Sequence, residues 1–175
     1  MATDDPFIRY AVTRLYHFTD RRNLPSIREL KGLYSLAKLR EMGAEIPAPG
    51  GNDWSHDADK LKGVHRYVHL SFKSHHPMEY RAREEGRIKD SVFIEVHPDV
   101  LGWPGVMFTP DVSNKAGVTI HPIAEAKELI DFEVLYTRTD WNNPLIQQRL
   151  QKAEKSEILV PDHIPIELLR NIPNG

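Results

Sequence analysis

The sequence predicts an α+β domain built around a mixed or antiparallel β-sheet, and three observations predict it. Short apolar runs with strand periodicity recur along the chain, at 15–18, 67–72, 92–96, 106–109, 132–136 and 157–160. Between them lie segments with helical spacing and Pro or Gly at their ends. The two kinds of element interleave without the strict strand–helix–strand alternation of a doubly wound parallel fold. At 175 residues, with 40% hydrophobic and 27% charged residues, the chain suits a single domain over 1–175 that can bury its own core.

Each element has its own warrant. Leu15-Tyr16-His17-Phe18 reads as a strand that ends in polar residues. Pro25 suits a first helical turn, Leu24, Ile27 and Leu30 fall on one helical face, and Gly32 is expected just past the C-terminus. Ser35 to Met42 reads as a second short helix. The stretch "GAEIPAPGGNDWSHDAD", 43–59, carries two prolines and three glycines among few apolar residues and reads as a long loop. Tyr67 to Phe72 alternates like a strand. His76-Pro77 opens a helix that runs to Glu85 and stops at Gly86. Val92 to Val96 and Val106 to Thr109 read as strands, Glu125 to Ile130 as a helix, and Phe132-Glu133-Val134-Leu135-Tyr136 as a further strand. Pro144 to Lys155 is an amphipathic helix, Glu157 to Val160 a strand stopped by Pro161, and Ile164 to Ile172 the last element.

Composition excludes several function classes. Cysteine is absent, which removes disulfides, thiolate nucleophiles and Cys-based zinc sites. No run approaches the length of a membrane span, and the acidic, polar start MATDDPFIRY is unlike a secretory signal, so a cytoplasmic protein without membrane contact is expected. Glycine-rich nucleotide loops, HExxH and GxSxG are missing. His69, His75 and His76 have no carboxylate at metal spacing, so no metal is expected. A net charge of −2 does not announce a nucleic-acid binder, but Arg21-Arg22, Lys60-Lys62-Arg66 and Arg81-Arg83-Arg87-Lys89 are local basic clusters.

Two places invite chemistry. His17 and Thr19 end a strand directly before a helix start, where side chains and free N–H groups can meet an anionic ligand. Glu157 stands at the mouth of the apolar strand Ile158-Leu159-Val160, where a carboxylate can lean onto a ligand from a rigid support.

Taken together, "LYHFTDRRNLPSI" at 15–27, "YVHLSFKSHHPMEYRA" at 67–82 and "KSEILVPDHIP" at 155–165 resemble, in kind and order, the DarT family. These are bacterial toxins that attach ADP-ribose from NAD to DNA bases. The resemblance spans nearly the whole chain. It implies the ADP-ribosyltransferase fold, a split mixed sheet gripping NAD between flanking helices. It implies Glu157 as the catalytic carboxylate, with His17, Phe18, Thr19 and Asn23 along the cofactor and Met78 lining the nicotinamide pocket. The family's thymine-modifying members carry an arginine ahead of the Y-V-x-x-x-F strand, and this chain has none that aligns; His56, Lys60 or Lys62 stand in that region, and His56 is the expected catalytic substitute. Leu70-Ser71-Phe72 also departs from the F-Y-F of those members, which leaves guanine beside thymine as the target. Trp54 would stack on a base, with Lys60, Lys62 and Arg66 on phosphates. The implied partners are NAD as co-substrate, single-stranded DNA, and a cognate antitoxin of the ADP-ribosylglycohydrolase type.

Overall fold

A computed structural model describes residues 4–44, 47 and 63–172. In chain order the helices are α1 (Pro6–Arg9), α2 (Leu24–Glu29), α3 (Leu36–Glu41), α4 (Pro77–Glu84), α5 (Ile123–Leu129), α6 (Phe132–Tyr136) and α7 (Pro144–Ala153). The strands are β1 (Leu15–Asp20), β2 (Gly32–Tyr34), β3 (Tyr67–Leu70), β4 (Ser91–Val96), β5 (Met107–Thr109), β6 (Glu157–Pro161), β7 (His163–Pro165) and β8 (Leu169–Arg170). They form three small sheets, ordered β1-β4-β8, β3-β6-β5 and β2-β7. Every ladder among the described residues is antiparallel.

The split between the sheets positions the site. β1 meets the residue after β3 at an isolated bridge, where Tyr16 N donates to Ser71 O at 2.9 Å and Ser71 N to Tyr16 O at 2.8 Å. The ladder does not continue, so a gap in backbone pairing separates residues 17–20 of β1 from β3. Each central strand buries one face by alternation: Val92, Ile94 and Val96 from β4, Val68 and Leu70 from β3. β6 is covered on both faces, and Ile158, Leu159 and Val160 are all fully buried. Phe72 and Phe132 meet edge-on with centroids 5.3 Å apart, and Phe7 meets Phe132 edge-on at 5.5 Å. These contacts tie the sheet core to the helices.

Three expectations need correction. Phe132 to Tyr136 is helix α6, not a strand. Asp131 caps it by accepting from Val134 N, and Phe132, Val134 and Leu135 all turn inward, a pattern that no strand alternation allows. Gly32 is not the residue that ends α2. Lys31 takes the left-handed conformation at φ 59°, and Gly32 opens β2. Gly32 is required there by close approach: a Cβ would lie within contact of Ile164 O and 2.6 Å from His163 Nε2. The last element, 164–172, is not one segment but β7, a 3-10 turn over Ile166–Leu168, and β8. The loop assigned to 43–59 lies almost wholly outside the described residues, and with it Trp54 and His56; Lys60 and Lys62 lie outside them too.

Candidate active site

Glu157 is the first residue of β6, opposite Thr109 of β5. It is buried, with 6% of its surface exposed, so it is not a solvated carboxylate at a strand entrance. Its two oxygens have separate partners. His69 Nδ1 lies 3.0 Å from Oε1. The backbone N–H of Ser113 donates to Oε2. Register explains the first contact: His69 on β3 faces Leu159, so Glu157 is its diagonal neighbour on the same face of the sheet. The second arises because β5 runs directly into a pinned loop. Thr109 Oγ1 donates to Asp111 O at 2.6 Å, and Val112 N to Asp111 Oδ1 at 2.7 Å, which folds Ser113 back over Glu157.

His69 is held from both sides. Its Nε2 lies 2.9 Å from the carbonyl oxygen of Val64, which can only accept. Ser113 Oγ stands 3.2 Å from Nδ1. A second histidine, His76, is buried ahead of α4. Its Nδ1 accepts from Met78 N at 3.2 Å, and its Nε2 faces Lys155 O at 3.4 Å. Burial lowers the basicity of His76, against the raising effects of Glu157 and the Lys155 carbonyl. The lone pair committed to Met78 keeps that ring neutral, so His69 is the group able to carry positive charge beside Glu157. Burial pushes the carboxyl of Glu157 up. The His69 hydrogen bond and charge, with the Ser113 N–H, more than reverse this and hold it below the ordinary glutamate value.

Across the gap, His17 Nδ1 lies 3.0 Å from His69 O and donates to it. Burial lowers the basicity of His17, so the ring is neutral and Nε2 is left as an acceptor. His17, Thr19 and Asn23 line one small recess with Ile27, Leu33 and Tyr34. Asn23 Nδ2 donates to Thr19 Oγ1 at 2.9 Å. Phe18 points to the other face of β1. Its ring lies nearly parallel to both neighbours, 13° from His17 and 20° from His76, with centroids 6.5 and 6.3 Å away. Met78 sits half-buried in the first turn of α4, its N–H bound to His76. Arg66 is exposed immediately before β3.

The structure thus brings His17, Thr19 and Asn23 to one recess and links it to Glu157 through His69, whose carbonyl accepts from His17 and whose ring meets the carboxylate. Sequence reading passed over His69 and Ser113. In the sequence His69 stands out only as one of three nearby histidines. The signal for His69 was present in the alternation: Val68 and Leu70 turn inward, which sends His69 to the opposite face. Nothing local marked Ser113, which depends on the fold of its loop. Among the described residues no helix is long and apolar enough to cross a membrane.

Comparison with known proteins places the fold. The family described as "DarT: ssDNA thymidine ADP-ribosyltransferase, DarT" matches residues 16–173. No curated protein matches the chain. Thermus sp. 2.9 DarT in complex with ADP-ribosylated ssDNA superposes with a TM-score of 0.68 at 17% identity, over 91% of this chain and 79% of that one. Thermus sp. 2.9 DarT in complex with NAD+ gives 0.58 at 19% identity, over 90% and 79%. Thermosipho africanus DarTG in complex with ADP-ribose gives 0.62 at 19% identity, over 90% of this chain and 42% of that one. At these identities the likeness is one of fold, and it confirms the ADP-ribosyltransferase architecture expected from the sequence. With a family match that runs from β1 to the C-terminal strand, the chain belongs to the DarT family of single-stranded-DNA ADP-ribosyltransferases.

Proposed function

We propose that this domain transfers ADP-ribose from NAD to a base of single-stranded DNA, with Glu157 as the catalytic carboxylate. The observation that carries the assignment is the buried Glu157, held by the His69 ring and the Ser113 N–H, with His17 bound to the backbone carbonyl of that same His69. His17 Nε2 accepts from a ribose hydroxyl, and Thr19, whose oxygen already accepts from Asn23, donates its own proton to the ligand. Phe18, between two nearly parallel rings, and Met78 at the start of α4 supply apolar walls for nicotinamide.

The bond between the anomeric carbon and the nicotinamide nitrogen breaks, and its electron pair leaves with neutral nicotinamide. Glu157 stabilises the positive charge that develops on the ribose, a preorganised interaction worth about two to three orders of magnitude in rate. A base nitrogen then attacks the anomeric carbon, and the proton it loses passes to Glu157. The base must be single-stranded or flipped out to reach a carbon so enclosed.

Arg66, with Lys60 and Lys62 outside the described residues, is assigned to phosphates, Trp54 to base stacking and His56 to the place of the family's arginine. The whole chain acts as one domain in the cytoplasm, as a toxin held in check by an ADP-ribosylglycohydrolase-type antitoxin; the DarTG match supports that pairing. The test is incubation with NAD and single-stranded oligonucleotides rich in one base each, followed by mass mapping of the adduct. Thymidine, the base in the family's description, is the expected acceptor. An adduct on guanosine reassigns the base, and the absence of any adduct or free nicotinamide overturns the reading.

A further inference from the structure

From the contacts around β3 we infer that His69 is a positioning residue that, as an imidazolium, keeps Glu157 ionised and fixes the direction in which its carboxylate points. This rests on the assignment of Glu157 as the catalytic carboxylate. Both ring nitrogens of His69 face oxygens that accept: the Val64 carbonyl at 2.9 Å from Nε2 and Glu157 Oε1 at 3.0 Å from Nδ1. Nε2 donates to the Val64 carbonyl, and against an ionised Glu157, whose other oxygen accepts from the Ser113 N–H, only a ring protonated on Nδ1 as well satisfies both. The ring has no rotational freedom, because Val64 and Glu157 grip its opposite edges and the backbone of His69 is locked in the β3–β6 ladder.

The alternatives for the cation fail on geometry. Among the described residues, the titratable groups facing Glu157 are His69, from β3, and His76, from the segment ahead of α4. His76 spends its Nδ1 lone pair on Met78 N and stays neutral. β5 and its loop present Thr109 and the Ser113 amide, which do not titrate. β1 presents His17, which points its proton at the His69 carbonyl and not at the carboxylate. A buried carboxylate left without a cation would hold its proton near neutral pH. His69 therefore supplies the charge, and the Ser113 N–H supplies the second anchor.

The same contacts predict what His69 does not do. With both protons placed, it has no free lone pair to take a proton from Glu157 or from the attacking base. Its effect on the reaction is exerted through the charge and angle of the carboxylate.

The experiment follows the Glu157 carboxyl by carbon-detected NMR titration, assigned by its loss in Glu157→Gln. In the wild type the carboxyl is expected to titrate below the ordinary glutamate value, and ring nitrogen shifts of His69 to report both nitrogens protonated at neutral pH. In His69→Asn, which keeps a donor near Nδ1 but no charge, the Glu157 midpoint is expected to rise by about 1–3 units. The acid limb of kcat for NAD turnover is expected to move with it, with KM for NAD little changed. His69→Gln, whose amide reaches the Nε2 side, is expected to show the larger loss in kcat. A neutral His69 ring in the wild-type protein, or a Glu157 midpoint unmoved in His69→Asn, overturns the inference even where no variant folds well or none turns over. Wild-type protein that lacks transfer while its Glu157 titrates as described instead overturns the functional reading alone.

Discussion

Glu157→Gln is the substitution that most sharply tests the chemistry, because it preserves shape while removing the charge and one acceptor. The carboxylate accepts on both oxygens, from the His69 ring and from the Ser113 backbone. A glutamine has one carbonyl oxygen and one amide nitrogen, so either orientation sets an N–H group against a donor. One buried donor is then left unpaired, which costs about 1–3 kcal/mol of stability. For a chain of this size each kcal/mol lowers Tm by about 2–4 °C. The catalytic loss is larger. A full negative charge about 4 Å from a developing cation contributes about 4 kcal/mol at an effective dielectric near 20. The mutational figure for one preorganised group is about 10²–10³ in kcat. Transfer of ADP-ribose to the preferred oligonucleotide, followed by mass and normalised to folded protein by circular dichroism, is expected to fall by that factor while Tm drops a few degrees. Retention of more than about a tenth of the wild-type rate refutes the catalytic assignment, and an unchanged Tm refutes the account of the buried hydrogen bonds.

Other expectations follow from neighbouring features. Gly32→Ala forces a Cβ into the Ile164 carbonyl and to 2.6 Å from His163 Nε2, and is expected to cost about 2–4 kcal/mol in urea unfolding; a cost under half a kcal/mol shows that β2 and β7 can separate freely. Asp20 is fully buried and accepts from Arg22 N, the Arg22 guanidinium and Lys89 N. The Arg22 side chain, ahead of the opposing effect of burial, and these backbone bonds hold the carboxyl of Asp20 well below the usual carboxylate range. A depressed folded value stabilises above the unfolded value of about 3.9 and is lost as the pH falls through the folded value. Asp20→Asn is therefore expected to destabilise at neutral pH and to flatten acid unfolding below about pH 4; parallel acid limbs in the two proteins contradict this. Arg66→Ala is expected to weaken single-stranded DNA binding for all sequences alike and to reduce the log–log salt slope by about 0.7. A sequence-dependent loss with the slope unchanged places Arg66 on a base and not on a phosphate.

Much of the fold was legible because strand alternation is a local property. β1, β3, β4 and β6 all lie where their apolar periodicity put them, and the capping residues His76 and Asn143 stand where Pro follows at the next position. Phe132 to Tyr136 misled because five apolar and acidic residues satisfy either period, and the Asp131 cap with burial of Phe132, Val134 and Leu135 makes them a helix. β2 is three residues long and exists through its pairing with β7, a partner 131 positions away at Leu33–Ile164, which no window of sequence contains. The site divides along the same line. Glu157 and His17 announce themselves by polar residues at strand ends. The His69–Glu157 contact depends on a register between strands 88 residues apart, and the Ser113 contact on a loop pinned by Asp111.

The single bridge between Tyr16 and Ser71 makes the two sides of the site mechanically separable. Two backbone hydrogen bonds join the strand bearing His17 to the one bearing His69 at that point. A ligand that touches both His17 and Glu157 acts as a cross-link, spanning a seam that, among the described residues, the backbone stitches once. Amide exchange at Tyr16 and Ser71 then reports the opening of the seam directly. Without ligand these two amides are expected to exchange together and faster than those inside the β1–β4 ladder. With NAD bound they are expected to slow in step, so that the enzyme's grip on its co-substrate can be read from two protons that never touch it.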